Sequence, residues 1–123
     1  MTMLSKHFAW DEFTCKHCGR LPAVDEYLLE CLERLRSIVG KPLPIISGYR
    51  CDVANRAAGG TWNSEHLLAR AADIPSGYAT VAQCKTAGFV GIGTRRGRPV
   101  HVDVRRAPWT GNRSTGHVVF KED

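Results

Sequence analysis

The sequence predicts an α+β fold with a small, mainly antiparallel sheet and flanking helices. Two patterns carry that expectation. Leu28, Leu32, Leu35 and Val39 recur at i, i+4, i+7 and i+11, which is one face of a helix. In "FVGIGTRRGRPVHVDVRR" the apolar residues instead recur every second position, first Val90 and Ile92, then Val100, Val102 and Val104, which is the pattern of a β-hairpin. A length of 123 residues fits one modest core, so the expected organisation is a single domain spanning 1–123.

The elements follow in order. Asp25 is placed to cap the long helix, and Gly40 and Pro42 to stop it. "PIISGYR" reads as a short buried strand that ends in a Ser-Gly turn. "CDVANRAAGG" reads as a short helix closed by two glycines, and "ARAADIP" as a strand closed by Pro75. "YATVAQCKTAG" reads as a helix that Gly88 terminates. In the hairpin, period two turns the valines to one face and His101, Asp103 and Arg105 to the other. Such a face is either solvated or lines a site. The tail "APWTGNRSTGHVVFKED" reads as loop, with "HVVF" as a last strand.

Composition narrows the function classes. The formal net charge of +5 suits an acidic partner or simple solubility, and the basic residues gather in Arg95, Arg96, Arg98, Arg105 and Arg106. No run approaches the roughly 18 apolar residues of a membrane span. "MTMLSKHFAWDEF" holds no apolar run of the signal-peptide kind, so the expectation is synthesis in the cytoplasm and action elsewhere only after release. Five cysteines argue against a disulfide framework. Cys15 and Cys18 have the spacing of half a zinc site, but a second Cys-x-x-Cys is absent. Cys51 could join them around a structural metal with a histidine or another cysteine as fourth ligand. His17, inside the Cys-x-x-Cys loop, is poorly placed for that role. The alternative is that all three are plain thiols.

The residues with the most chemistry lie in "NSEHLLARAADI". His66 stands seven positions before Asp73. Imidazole nitrogen and carboxylate oxygen both suit zinc, and a catalytic zinc site uses three protein ligands and one open position. The hairpin offers His101 as the third. The competing reading is of ordinary core or surface residues.

"SEHLLARAAD" matches S-x-H-x-x-G-x-A-x-D except at Ala69, where glycine is usual. With "SGYR" before it and "VHVDV" after it, the chain from "FAWDEF" onward resembles the zinc D-Ala-D-Ala peptidases of the M15 family. The nearest likeness is to the small subgroup of phage and bacterial cell-wall peptidases, subfamily A of that family, with a hedgehog/DD-peptidase-like fold. The resemblance implies that His66, Asp73 and His101 hold zinc on the sheet. It implies that Arg50 binds a substrate carboxylate, for which a guanidinium fork is suited, and that Ser64 lies near the substrate. Many members carry an acid three residues before the last histidine, and Arg98 occupies that position here. Asp103 is the nearest carboxylate and the candidate general base, with Glu65 a second candidate. Asp103 could equally brace a ligand or pair with Arg105.

The implied activity is a zinc metallopeptidase acting on peptidoglycan stem peptides, as D,D- or L,D-carboxypeptidase or endopeptidase, in the manner of a phage or prophage endolysin. Two other readings remain. A non-catalytic zinc-binding module of the same fold is favoured by Arg98 and Ala69. A nucleic-acid-binding zinc protein is favoured by the basic charge and "TRRGR", but no helix carries a basic stripe.

Overall fold

The structure is a computed structural model, and it describes residues 2–105 and 117–122. The long helix α1 spans Glu26–Val39. Asp25 caps it by accepting from the amides of Tyr27 and Leu28, and Gly40 ends it in a left-handed conformation. Leu28, Cys31, Leu32 and Leu35 are buried along its inner face. Helix α2 spans Asp52–Ala57 and α3 spans Val81–Ala87. A capping box closes the start of α3, with Thr80 and Gln83 exchanging hydrogen bonds, and Gly88 ends it.

Among the described residues four strands form one sheet: β1, Ala71–Asp73; β2, Gly91–Arg95; β3, Arg98–Asp103; and β4, Val118–Lys121. Their order is β1-β3-β2-β4. The pairs β1–β3 and β2–β3 are antiparallel, but β2–β4 is parallel. The sheet is therefore mixed, where the sequence suggested a mainly antiparallel one. Hairpin periodicity reveals only the β2–β3 pairing, whereas β4 comes from a distant segment. Arg96 and Gly97 turn the hairpin, both at positive φ.

"PIISGYR" is not a strand. It touches the sheet at one bridge, Ser47 to Asp73, with Ile46 donating to the Asp73 carbonyl at 2.8 Å. Beyond that contact the segment pairs elsewhere: Gly48 packs on Phe13, where a Cβ would approach to 2.7 Å, the Tyr49 amide donates to the Phe13 carbonyl and the Arg50 amide to the His66 carbonyl. The loop expected over 107–116 lies outside the described residues.

One hydrophobic core joins α1 and α3 to one face of the sheet. It contains Phe8, Phe13, Leu28, Leu32, Leu35, Phe89, Ile74, Ile92, Val102 and Val104. The opposite face of β1 and β3 presents Asp73, His101 and Asp103, so the two-residue period separates core from chemistry.

Ala69 is a local departure from ideal backbone. It is buried and closes the 3-10 turn Glu65–Leu68 at φ 54. A left-handed L-residue costs about 1–2 kcal/mol, partly offset by roughly 0.8 kcal/mol from the buried methyl. Ala69→Gly is expected to raise stability by roughly 0.5 kcal/mol in urea unfolding. A loss of stability would show that the methyl matters more than the strain.

Candidate metal centre

Strand register builds the centre. Asp73 on β1 lies directly opposite His101 on β3, and Gly93 on β2 opposes the same histidine from the other side. Ala71 and Gly91 flank Asp103 in the same way. Small residues thus border both candidate site residues of β3. A Cβ on Gly91 would stand 2.3 Å from the Asp103 carboxylate oxygens. One on Gly93 would stand 2.5 Å from Glu122 Oε2 and 3.0 Å from His101 Cβ. The glycines that alternate with Val90 and Ile92 are the space these groups occupy.

His66 arrives from the 3-10 turn Glu65–Leu68. Ser64 caps that turn, its Oγ accepting from the His66 amide at 3.2 Å. The buried His66 ring meets the Gly48 carbonyl at 2.6 Å through Nδ1. A carbonyl can only accept, so Nδ1 carries the hydrogen and Nε2 faces forward with its lone pair. His101 is fixed the other way round. Its Nε2 donates to Asp103 Oδ2 at 2.7 Å, and Nδ1 faces forward.

Three ligand atoms converge at that point. His66 Nε2 lies 3.1 Å from Asp73 Oδ1 and 3.2 Å from His101 Nδ1, and His101 Nδ1 lies 3.4 Å from Asp73 Oδ1. Ligands about 2.0–2.2 Å from a tetrahedral zinc stand roughly 3.3–3.6 Å apart. The donor set, its spacing and the orientation of both rings therefore fit a metal ion. The atoms lie at the floor of an open cavity of about 1100 Å³.

The family model Peptidase M15 matches residues 6–103. The chain belongs to this peptidase family. A comparison with curated proteins found no match.

The M15 assignment makes the remaining placements informative. Arg50 donates through Nη2 to Asp73 Oδ2 at 2.5 Å and through Nε to Ser47 Oγ at 3.2 Å. It touches the carboxylate whose other oxygen faces the metal point, and it also lines the cavity. Ser64 lines the cavity too, while its hydroxyl serves as the cap. Arg98 lies at the exposed start of β3, beside the hairpin turn. Glu65 is tied to Arg70 at 2.8 Å.

Asp103 is fully buried. Oδ2 accepts from His101 and from Arg105 Nη2 at 2.6 Å, and Oδ1 accepts from the Arg105 amide and Nε at 3.0 and 2.9 Å. Both oxygens are engaged behind His101, the arrangement of a ligand brace. A different carboxylate, which sequence reasoning missed, stands in front. Glu122 Oε2 is 3.9 Å from the forward Nδ1 of His101 and lines the cavity. It is carried there by β4, and its amide donates to the Thr94 carbonyl at 2.8 Å. Only the parallel β2–β4 pairing brings it close, and nothing in its spacing from His101 announces that.

The cysteines divide into two groups. Cys31 and Cys84 are core residues, and burial pushes the Cys84 thiol up to about 12. Cys15, Cys18 and Cys51 come together elsewhere. His17, which its place inside the Cys-x-x-Cys loop made a poor fourth ligand, brings Nδ1 to 3.5 Å from Cys51 Sγ.

The electrostatics of the centre follow from its contacts. Burial opposes charge on Asp73, but the His101 and His66 rings beside it outweigh that and hold the carboxyl below its usual range. Burial likewise opposes charge on Asp103, where Arg105 and His101 hold the carboxyl low. Burial disfavours the His101 cation, yet Asp103 and Asp73 push it up to about 9. A raised folded-state pKa gives stability that is complete below the unfolded value of about 6.5 and is lost as pH rises through about 9. Chelator-treated protein is therefore expected to lose thermal stability between about pH 7 and 9, and metal-loaded protein to lose less. Parallel curves for the two forms would place the proton elsewhere.

Proposed function

We propose that this M15 chain is a zinc peptidase that cleaves the stem peptides of peptidoglycan. The convergence of His66 Nε2, Asp73 Oδ1 and His101 Nδ1 on one point of an open cavity carries this reading. Two nitrogens and one carboxylate oxygen at tetrahedral spacing favour zinc over metals that prefer all-oxygen sites. Among the cavity-lining residues are Arg50, Arg95, Arg105 and Lys121, a basic wall that complements the carboxylates of a stem peptide. Trp62, 88% exposed at the same cavity, offers a flat apolar face to a sugar ring. Such a substrate puts the site of action at the cell wall, reached after release through a membrane lesion in the manner of an endolysin.

When bound, zinc supplies Lewis acidity that polarises the scissile carbonyl and acidifies water. The chain's own residues do the rest. Arg50, anchored through Asp73, Ser47 and Asn55, grips the substrate carboxylate with the donors those contacts leave over. Glu122 Oε2, on the open side of His101, accepts a proton from the attacking water and returns it to the leaving amine. Asp103 orients His101 from behind, so the brace is the role its contacts support. A non-catalytic module would have no carboxylate in front of the metal point, and the position of Glu122 favours the enzyme.

Purified peptidoglycan digested with and without chelator, with products identified by mass, tests the activity. Release of stem-peptide fragments that chelator abolishes is expected. No fragments from the metal-loaded protein would contradict the reading. Glu122→Gln is expected to keep metal and lose about 10²–10⁴ in cleavage rate. Asp103→Asn is expected instead to weaken metal binding about 10–100-fold. Parent-rate cleavage by Glu122→Gln would return the proton transfer to another group.

A further inference from the structure

A second cluster of metal-binding groups lies outside the catalytic cavity. The sulfurs of Cys15, Cys18 and Cys51 all lie within 4.8 Å of one another, and none of these cysteines is in a disulfide. Thiolates about 2.3 Å from a tetrahedral zinc stand roughly 3.8 Å apart, so a small contraction closes the set. Ordinary packing does not account for the cluster. Cys18 is exposed and Cys51 only partly buried, whereas the packing cysteines, Cys31 and Cys84, lie inside the core.

The backbone around the cluster is arranged for sulfur. In "CKHCGR" the Gly19 amide donates to the Cys15 carbonyl at 2.8 Å, and Gly19 takes φ 72, a conformation suited to glycine. The Cys15 amide donates to the Arg20 carbonyl at 2.9 Å and closes the loop. The amides of His17 and Cys18, in the same turn, also favour the charged form of the Cys15 sulfur. The Cys51 amide donates to the same sulfur at 3.4 Å from across the chain. Several N–H groups directed at one sulfur favour a thiolate, the form that binds metal.

We infer that Cys15, Cys18 and Cys51 hold a structural zinc ion, with His17 completing a tetrahedral set. His17 Nδ1 already lies 3.5 Å from Cys51 Sγ, and its side chain is exposed, so a rotation would have to bring it within reach of Cys15 and Cys18 as well. A closed Cys3His set leaves no position for substrate, so the ion is structural. It joins the amino-terminal loop to the residue that follows Arg50. The Tyr49 amide, which donates to the Phe13 carbonyl at 2.9 Å, joins the same two segments. The ion thereby steadies the backbone that presents Arg50 and starts α2. This inference does not depend on the peptidase reading.

Cobalt(II) is the probe, because thiolate ligation gives a charge-transfer band in the near ultraviolet that His and Asp ligation does not. The full chain, reduced and loaded with cobalt, is expected to show that band and to bind about two metal ions. The His66→Ala/His101→Ala variant is expected to keep the band with about one ion. Cys15→Ser/Cys18→Ser is expected to lose the band and keep the other ion. His17→Ala is expected to keep the band at shifted energy, and an unshifted spectrum would remove His17 from the set. Absence of the band from the reduced, cobalt-loaded parent protein would overturn the inference without recourse to any variant. So would its persistence in the Cys15→Ser/Cys18→Ser protein. Neither result would bear on chelator-sensitive cleavage at the other centre.

Discussion

The hydrogen bond between Asp103 and His101 is the contact on which the rest of the centre depends. A buried imidazole has two nitrogens, and only one can face a metal. By accepting from Nε2 at 2.7 Å, Asp103 leaves Nδ1 as the forward nitrogen. A buried carboxylate is costly unless it is paired and fully hydrogen-bonded. Arg105 provides that pairing through its amide, its Nε and one terminal nitrogen. The Arg105 guanidinium in turn lies 5.0 Å over the Phe120 ring, which leans on His101 at 5.5 Å. Phe120 belongs to β4, so the brace also fixes the strand that delivers Glu122.

This arrangement requires empty space on both sides of β3. Ala71, Gly91 and Gly93 provide it, and a single methyl on Gly91 would collide with the Asp103 carboxylate. The opposite face of the same strands is filled by Val102, Val104 and Ile92 packed on α1 and α3. One face of the sheet is therefore dense and apolar, while the other gives up packing for polar geometry. Asp73 links the two sides of the cavity. Oδ1 faces the histidines and Oδ2 holds Arg50, so the candidate metal centre and the arginine proposed to hold substrate share one carboxylate.

Much of this was legible in the sequence because it rests on local pattern. Helical spacing of the leucines gave α1, and Asp25 and Gly40 marked its ends correctly. Alternation in "VHVDV" separated Val102 from His101 and Asp103, and the motif around His66 and Asp73 identified residues that the fold brings within about 3.4 Å of His101. The illegible features depend on distant pairing. The parallel β2–β4 contact, and Glu122 with it, has no signature in either segment. Nor does sequence spacing show that a long-range bond between Gly48 and His66 selects the ring's tautomer. Asp103 was singled out beside His101, but periodicity cannot tell which histidine nitrogen its carboxylate meets. "PIISGYR" has strand composition, yet after the Ser47 bridge its amides pair with Phe13 and His66 rather than with the sheet.

The most direct test of the account is an anomalous-scattering map at the zinc edge from crystals of the zinc-loaded protein. The account predicts a peak bonded at about 2.0–2.2 Å to His66 Nε2, Asp73 Oδ1 and His101 Nδ1. It also predicts that His101 Nε2 stays on Asp103. A zinc bound through His101 Nε2, or no peak between these three residues, would contradict it.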